Sequence, residues 1–317
     1  MDLHVGTYAG DRHLAMMQCL LLAVRPRAWA VDFPSPVDLQ EILGVAANAE
    51  RTRLWLDPAG SLRAFALVDA YGNLWFELEP KAATSTLEDE VIAWGIACVS
   101  ATDPSGWVLD TNCREEASER VALLRRHGFE QQDLATLVME RSLADPIPEP
   151  ILPAGFVLRP LQGRSEVGEV VRLHQRAFAS NVFTGEERLS TMRLRDYEPA
   201  LDLVVVAPDG KLAAACMAMV TSEENVLSGR KRGALDPVGT DPNHRRKGLA
   251  RALLCAGMIA LKARGVEVAF FHTSSTNQAM AALGEAAGFR QAARRIWFSK
   301  SWTPDTARAC EEVGPAP

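Results

Sequence analysis

The chain has 317 residues, 48% hydrophobic and 23% charged, the usage of a folded protein of about two domains, which excludes a disordered chain. Thirty-four Lys and Arg against 40 Asp and Glu leave a net charge of −6, which excludes a globally basic nucleic-acid binder. The six cysteines (Cys19, Cys98, Cys113, Cys216, Cys255 and Cys310) form no CxxC pair and no metal-ligand spacing, so the expectation is scattered reduced thiols, no metal and a cytoplasmic location.

In chain order, the first apolar run, Leu14 to Val24, is too short to span a bilayer and reads as a buried helix, so no membrane association is expected. Leu54 to Leu62 reads as strand, Asp57-Pro58-Ala59-Gly60 turn, strand. Val121 to Arg126 is an apolar helix closing on Gly128-Phe129. Four prolines between Pro146 and Pro153 exclude a helix or a central strand and mark an extended linker. The expected division is therefore 1–145, a linker at 146–153, and 154–317.

The second part alternates strands and helices. Phe156–Leu161, Leu203–Ala207, Lys211–Thr221, Ala234–Thr240, Val266–His272 and Ala293–Lys300 read as strands. Glu166–Ala179, Leu249–Arg264 and Asn277–Ala287 read as helices, the last two ended by Gly265 and Gly288. Two landmarks repeat: Gly60 matches Gly210 in an Asp/Pro/Gly turn 150 residues on, and Gly128-Phe129 matches Gly288-Phe289 160 residues on. That pattern predicts a diverged tandem duplication with a longer second copy.

The stretch most informative about chemistry runs from Val238-Gly239-Thr240 through Arg245-Arg246-Lys247-Gly248-Leu249-Ala250. A strand ends, a basic turn follows and a helix begins. Unpaired backbone N–H groups and the positive end of the helix dipole make such a place an anion site, with pyrophosphate as the natural guest. The competing reading is a solvated basic turn. Neither GxxxxGK[ST] nor GxGxxG is present.

Arg245-x-x-Gly248-x-Ala250 after a strand, followed by an Asn277-led helix closing on Gly288-Phe289, resembles the GNAT superfamily of N-acetyltransferases over about residues 156–302. Over the first half the resemblance is architectural only, so the expectation is an α/β (α+β) chain of two tandem GNAT-like domains. Each would be a mixed, bent sheet with helices on both faces, the first degenerate. The resemblance implies acetyl-CoA as cosubstrate, lying between two splayed parallel strands, with Pro237 at a bulge. The backbone of Val238, Gly239 and Thr240 would pair with the pantetheine. Arg245, Arg246, Lys247, Gly248, Leu249 and Ala250 would hold the pyrophosphate, and Asn277 belongs to the same set.

A direct transfer needs a base near the amine. Asp236 shares a strand face with Val238 and is the leading candidate; otherwise it is an edge carboxylate beside Pro237. Glu223 and Glu224, expected in a loop, could attract a cationic amine or be solvated charges. His174 and Tyr197 fall where the acceptor pocket is walled, unless they only pack. The segment Thr184 to Pro199 reads as the least regular part of this half, free to act as a lid, or else as a plain exposed helix. The family's usual Tyr proton donor is replaced by Gly284, leaving His272 as a substitute donor or an ordinary strand-end histidine. In the first half the matching turn ends in Glu88-Asp89-Glu90, which would repel a phosphate. The expected activity is acetyl transfer to a small-molecule amine, by a monomer or homodimer; the competing class is a silent acyl-CoA-binding protein.

Overall fold

The computed structural model describes residues 3–29 and 32–303; Cys310 lies outside them. The first half holds β1 (His4–Thr7), α1 (Asp11–Val24), α2 (Pro36–Leu43), α3 (Ala46–Glu50), β2 (Thr52–Leu56), β3 (Leu62–Val68), β4 (Leu74–Leu78), α4 (Ser85–Thr102), β5 (Trp107–Arg114), α5 (Ser118–Arg126) and β6 (Glu130–Ser142). The second holds β7 (Val157–Pro160), α6 (Val167–Phe178), α7 (Gly185–Thr191), β8 (Asp202–Val206), β9 (Leu212–Met219), α8 (Ser222–Ser228), β10 (Arg232–Thr240), α9 (Leu249–Lys262), β11 (Val268–Ser274), α10 (Gln278–Ala286) and β12 (Arg290–Trp302).

The repeat is written into hydrogen bonds. The Asp57–Ser61 turn closes with Asp57 N–H to Ser61 O (2.9 Å) and Gly60 N–H to Asp57 O (2.8 Å); Ala207 N–H to Lys211 O and Gly210 N–H to Ala207 O (both 2.9 Å) reproduce it. Gly60 and Gly210 have φ of 82° and 83°, a region glycine enters without steric cost. Both hairpins slip register one residue before the turn side, between Trp55 and Leu56 and between Val205 and Val206. The helix ends agree too: Phe129 N–H reaches Leu124 O as Phe289 N–H reaches Gly284 O, at 3.0 and 2.9 Å. The ten extra residues of the second copy lie between β9 and β11, and α8 is among them.

The compact units differ from the sequence halves. Unit 1 spans residues 1–135 and 295–317; unit 2 spans 136–294. In unit 1, β1-β2-β3-β4 form an antiparallel sheet and β5 pairs antiparallel with β12 over Arg295–Trp302. In unit 2 the order is β6-β11-β10-β9-β8-β7, with β6 pairing through Thr136–Ser142. Each unit thus takes its last strand from the other half. The proline-rich stretch belongs to unit 2: Ile147 and Leu152 pack on its core, and Arg141 Nη2 donates to Pro146 O at 2.6 Å.

Helix α9 positions the site. It buries Leu249, Leu253, Leu254, Met258 and Leu261 against β9 and β10, each worth roughly 1.5–3 kcal/mol. Gly257 lets it sit this close, because a Cβ there would run into Leu235 of β10. Unit 1 repeats the device less tightly: a Cβ at Gly95 of α4 would lie 3.1 Å from Leu74. Among the described residues no helix is long and apolar enough to cross a membrane.

Candidate active site

Strands β10 and β11 are parallel neighbours for only three residues, Arg232–Ala234 against Val268–Phe270. Beyond that, β10 stays with β9 (Val238, Gly239 and Thr240 opposite Cys216, Ala215 and Ala214) while β11 stays with β6. The sheet therefore opens between them. The cause lies in the sequence: the β9–β10 register shifts between Leu235 and Val238, the bulge expected at Pro237. The Asp236–Pro237 bond is cis.

At the mouth of this opening Asp236 Oδ2 and His272 Nδ1 lie 3.1 Å apart, each side chain roughly a third exposed. The structure thus joins the two residues the sequence singled out separately. His174 of α6 senses Asp236 electrostatically. Burial against Phe178 and Phe183, with ring centroids 4.4 and 4.1 Å away, pushes its pKa down to about 4, with Arg188 adding to the drop and Asp236 opposing it.

The basic turn ends β10 and starts α9. Asp241 is buried: burial alone would raise its pKa, but the Asn243 amide and the Arg176 guanidinium (2.7 Å) hold it below the usual range. It pins the entry of the turn. Arg245 donates to Ala177 O at 2.9 Å, fixing the middle. Arg246 and Gly248 take φ of 63° and 80°, so the chain doubles back before α9. Outside the helix, the amides of Arg245, Arg246, Lys247 and Gly248 have no hydrogen-bond partner among the described residues, and space is open beside Gly248. A row of free amides at the start of a 14-residue helix fits a pyrophosphate. Leu249 is buried and anchors the helix. Gly239 carries a second constraint, since a Cβ there would meet Phe178 at 3.1 Å. Asn277 caps α10, its Oδ1 accepting from Met280 N–H at 3.2 Å.

Two expectations change. Glu223 and Glu224 lie in helix α8, not in a loop, and Glu224 is buried with Thr221 Oγ1 donating to it at 2.5 Å. The Thr184–Pro199 segment contains helix α7, the helix the sequence left open, but it is not plainly exposed. Thr184 and Glu187 form a capping box for α7, and Arg188 is buried in an ion pair with Asp202, to which Tyr197 also donates at 2.6 Å. Burial and the Asp202 charge raise the Tyr197 pKa, so this phenol is a donor locked on a carboxylate. Gly284 is there because of packing: a Cβ would lie 2.5 Å from Phe271 Cζ.

Sequence reasoning missed Glu140. It comes from β6 of the first half, lies opposite Phe270, and pairs with Arg230 and Arg232 beside the opening. Arg232 also sits 4.2 Å over the Phe270 ring. No local pattern signals a residue supplied by an exchanged strand.

In unit 1 the matching turn differs. The Ala82 and Ala83 amides are both used by Glu79 O (2.9 Å), Thr84 Oγ1 caps α4 at Leu87 N–H (3.2 Å), and Glu88 and Glu90 are held by Arg126 and Trp55. The β3–β4 register runs without a shift, so nothing corresponds to the bulge carrying Asp236.

Residues 168–289 match the acetyltransferase (GNAT) family. The chain is 28% identical over 300 residues to a mycothiol acetyltransferase of Nocardioides sp., covering 89% of this chain and 96% of that protein. Among solved structures, a GCN5-related N-acetyltransferase from Sphaerobacter thermophilus superposes with a TM-score of 0.67 at 20% identity, over 95% and 96% of the two chains. A tandem GNAT protein from the clavulanic acid biosynthesis pathway does so with 0.68 at 17% identity, over the full length of both. The fold is that of GNAT N-acetyltransferases, with the sheet opened between β10 and β11. The family match over residues 168–289 and the relatives support acetyl-CoA-dependent N-acetyl transfer, on a fold like that of tandem GNAT proteins.

Proposed function

We propose that residues 154–317 carry the acetyl-CoA site and that residues 1–145 are a copy without one, joined through 146–153. The observation that carries this is the row of free amides from Arg245 to Gly248, next to an opening with Asp236 and His272 at its mouth. The turn would hold the pyrophosphate, with Arg246 and Lys247 adding charge. The backbone of Val238 and Thr240 would pair with the pantetheine as an added strand. The acceptor is the amine of a small molecule in the cytoplasm. The des-acetyl form of mycothiol is the first to test, because relatives are named for that transfer.

Asp236, directly or through His272, takes the proton of the attacking amine. The new C–N bond forms as the C–S bond breaks. The proton held by the pair is then the one available to the departing thiolate, which Gly284 cannot supply. His174, kept neutral by its burial, adds no competing positive charge near an ammonium acceptor.

The test is release of free CoA thiol from acetyl-CoA with a panel of amines, paired with CoA titration. Turnover with at least one amine and one CoA per chain is expected. Tight CoA binding with no turnover on any amine would favour the silent binder.

A further inference from the structure

A cavity of about 700 Å3 occupies unit 1, lined by β4, β5 and the start of α5, with the ends of α1 and the segment leading to α2. Beside the start of β4, Asn73 forms an isolated bridge with Asp110 of β5 and Thr111 Oγ1 donates to Leu74 O, but β4 and β5 form no ladder among the described residues. The cavity thus takes the place in unit 1 that the opening takes in unit 2, but its chemistry is different.

Four guanidinium groups line it: Arg25, Arg114, Arg120 and Arg295. Two inner carboxylates answer three of them. Glu77 takes Arg25 (2.7 Å) and Arg120 (2.8 Å); Asp32 takes Arg114 (2.8 Å). Arg295 is 6% exposed, donates to the Phe33 carbonyl, forms no ion pair among the described residues, and its Nε has no partner. Burial pushes its pKa down to about 10, partly offset by Asp32 and Asp38 and reinforced by Arg25 and Arg114. Of the other acidic residues on the lining, Glu88 is held by Arg126, and Glu116 and Glu119 are exposed at the start of α5.

The remaining wall is aromatic. Phe33 and Trp75 pack edge to face at 5.0 Å, Arg120 lies 4.0 Å over Phe76, and Arg114 lies 5.6 Å over Trp29. Asn112, which stands where the second copy has His272, lines the cavity with its buried Oδ1 unpartnered. Buried polar groups left without partners are costly, and an apolar pocket with a few convergent polar groups is the usual form of a small-molecule site.

We propose that this cavity is a second, non-catalytic ligand site that takes a small organic carboxylate with an aromatic body. The carboxylate answers Arg295, which forms no ion pair among the described residues, and the ring lies among Trp29, Phe33 and Phe76. CoA does not fit this assignment, since the amides that would meet its pyrophosphate are used by Glu79.

The test is isothermal titration of the full chain with indole-3-acetate, its neutral amide, and inorganic phosphate, each to about 5 mM, a range that covers weak specific binding. One site for indole-3-acetate is expected, with the amide at least tenfold weaker and acetyl-CoA not competing. Arg295→Gln should lose at least tenfold while CoA turnover is retained. Should that variant not fold, Trp29→Ala, at a half-buried position, should weaken binding severalfold. No binding of indole-3-acetate, equal binding of the amide, displacement by acetyl-CoA, phosphate binding as tightly, or full affinity in the folded Arg295→Gln or Trp29→Ala protein would each overturn the proposal.

Discussion

The first and second copies share their hairpin turns, their helix-closing glycines and even the register slip beside each turn, yet they present different chemistry at the place where the sheet opens. In the second copy a bulge at Asp236-Pro237 turns a carboxylate toward His272, and a loop of unbonded amides waits at the start of α9. In the first, the strand runs unbroken, Asn112 stands for His272, and the amides of Ala82 and Ala83 are closed onto Glu79. The comparison teaches that the opening belongs to the architecture, whereas the proposed catalysis rests on a few residues that break regular structure beside it.

The largest expected effect is at the proposed base. Asp236→Asn keeps the shape and removes the proton acceptor, so kcat should fall by about 10²-fold or more with CoA affinity unchanged. Wild-type turnover across the pH range would shift the role to another group. Next comes the loop: Gly248→Val places a branched side chain at φ 80°, where only glycine is unstrained, and fills the space beside the amides. CoA binding should weaken by about 2–3 kcal/mol in titration. The corresponding change in the first copy, Thr84→Ala, removes a cap, should cost about 1 kcal/mol of stability and should leave CoA binding untouched.

Restoring the family's tyrosine should fail for a steric reason. Gly284→Tyr drives Cβ into Phe271 and should cost roughly 1–3 kcal/mol in denaturant unfolding, with no gain in kcat. A gain would show that Phe271 yields more easily than its full burial implies.

A further effect is in pH. His174 has its pKa lowered by burial from 6.5 to about 4, so between those values the unfolded chain binds more protons than the native one. Stability should therefore fall as pH drops from 6.5 toward 4. His174→Phe should flatten that part of the Tm–pH curve, and an unchanged slope would assign it to another group.

Much of the fold was legible. The helices at 167–178, 249–262 and 278–286 and the strands around 203–206, 212–219 and 232–240 follow from apolar periodicity and from glycine and proline punctuation. The duplication was legible from turns alone, because a turn's chemistry is local. The burial of the α7 segment was not legible because its order comes from Arg188 and Asp202, a buried pair 14 residues apart that looks like surface charge in the sequence. The α8 helix was missed because Glu223-Glu224 reads as solvated charge, while the Glu224 carboxylate is buried and accepts from the Thr221 hydroxyl.

The sequence by itself determined the backbone of the second copy's site: the bulge-forming Asp-Pro, the left-handed glycine and the helix that starts after it are consequences of which φ and ψ those residues allow. What only the tertiary structure decided is which distant groups meet there. Asp236 and His272 are 36 residues apart and become partners because β10 and β11 run side by side. Glu140 reaches Arg232 because the first half's last strand is built into unit 2. Strand pairing is set by registry between segments far apart in the chain, a long-range fit that no local propensity encodes.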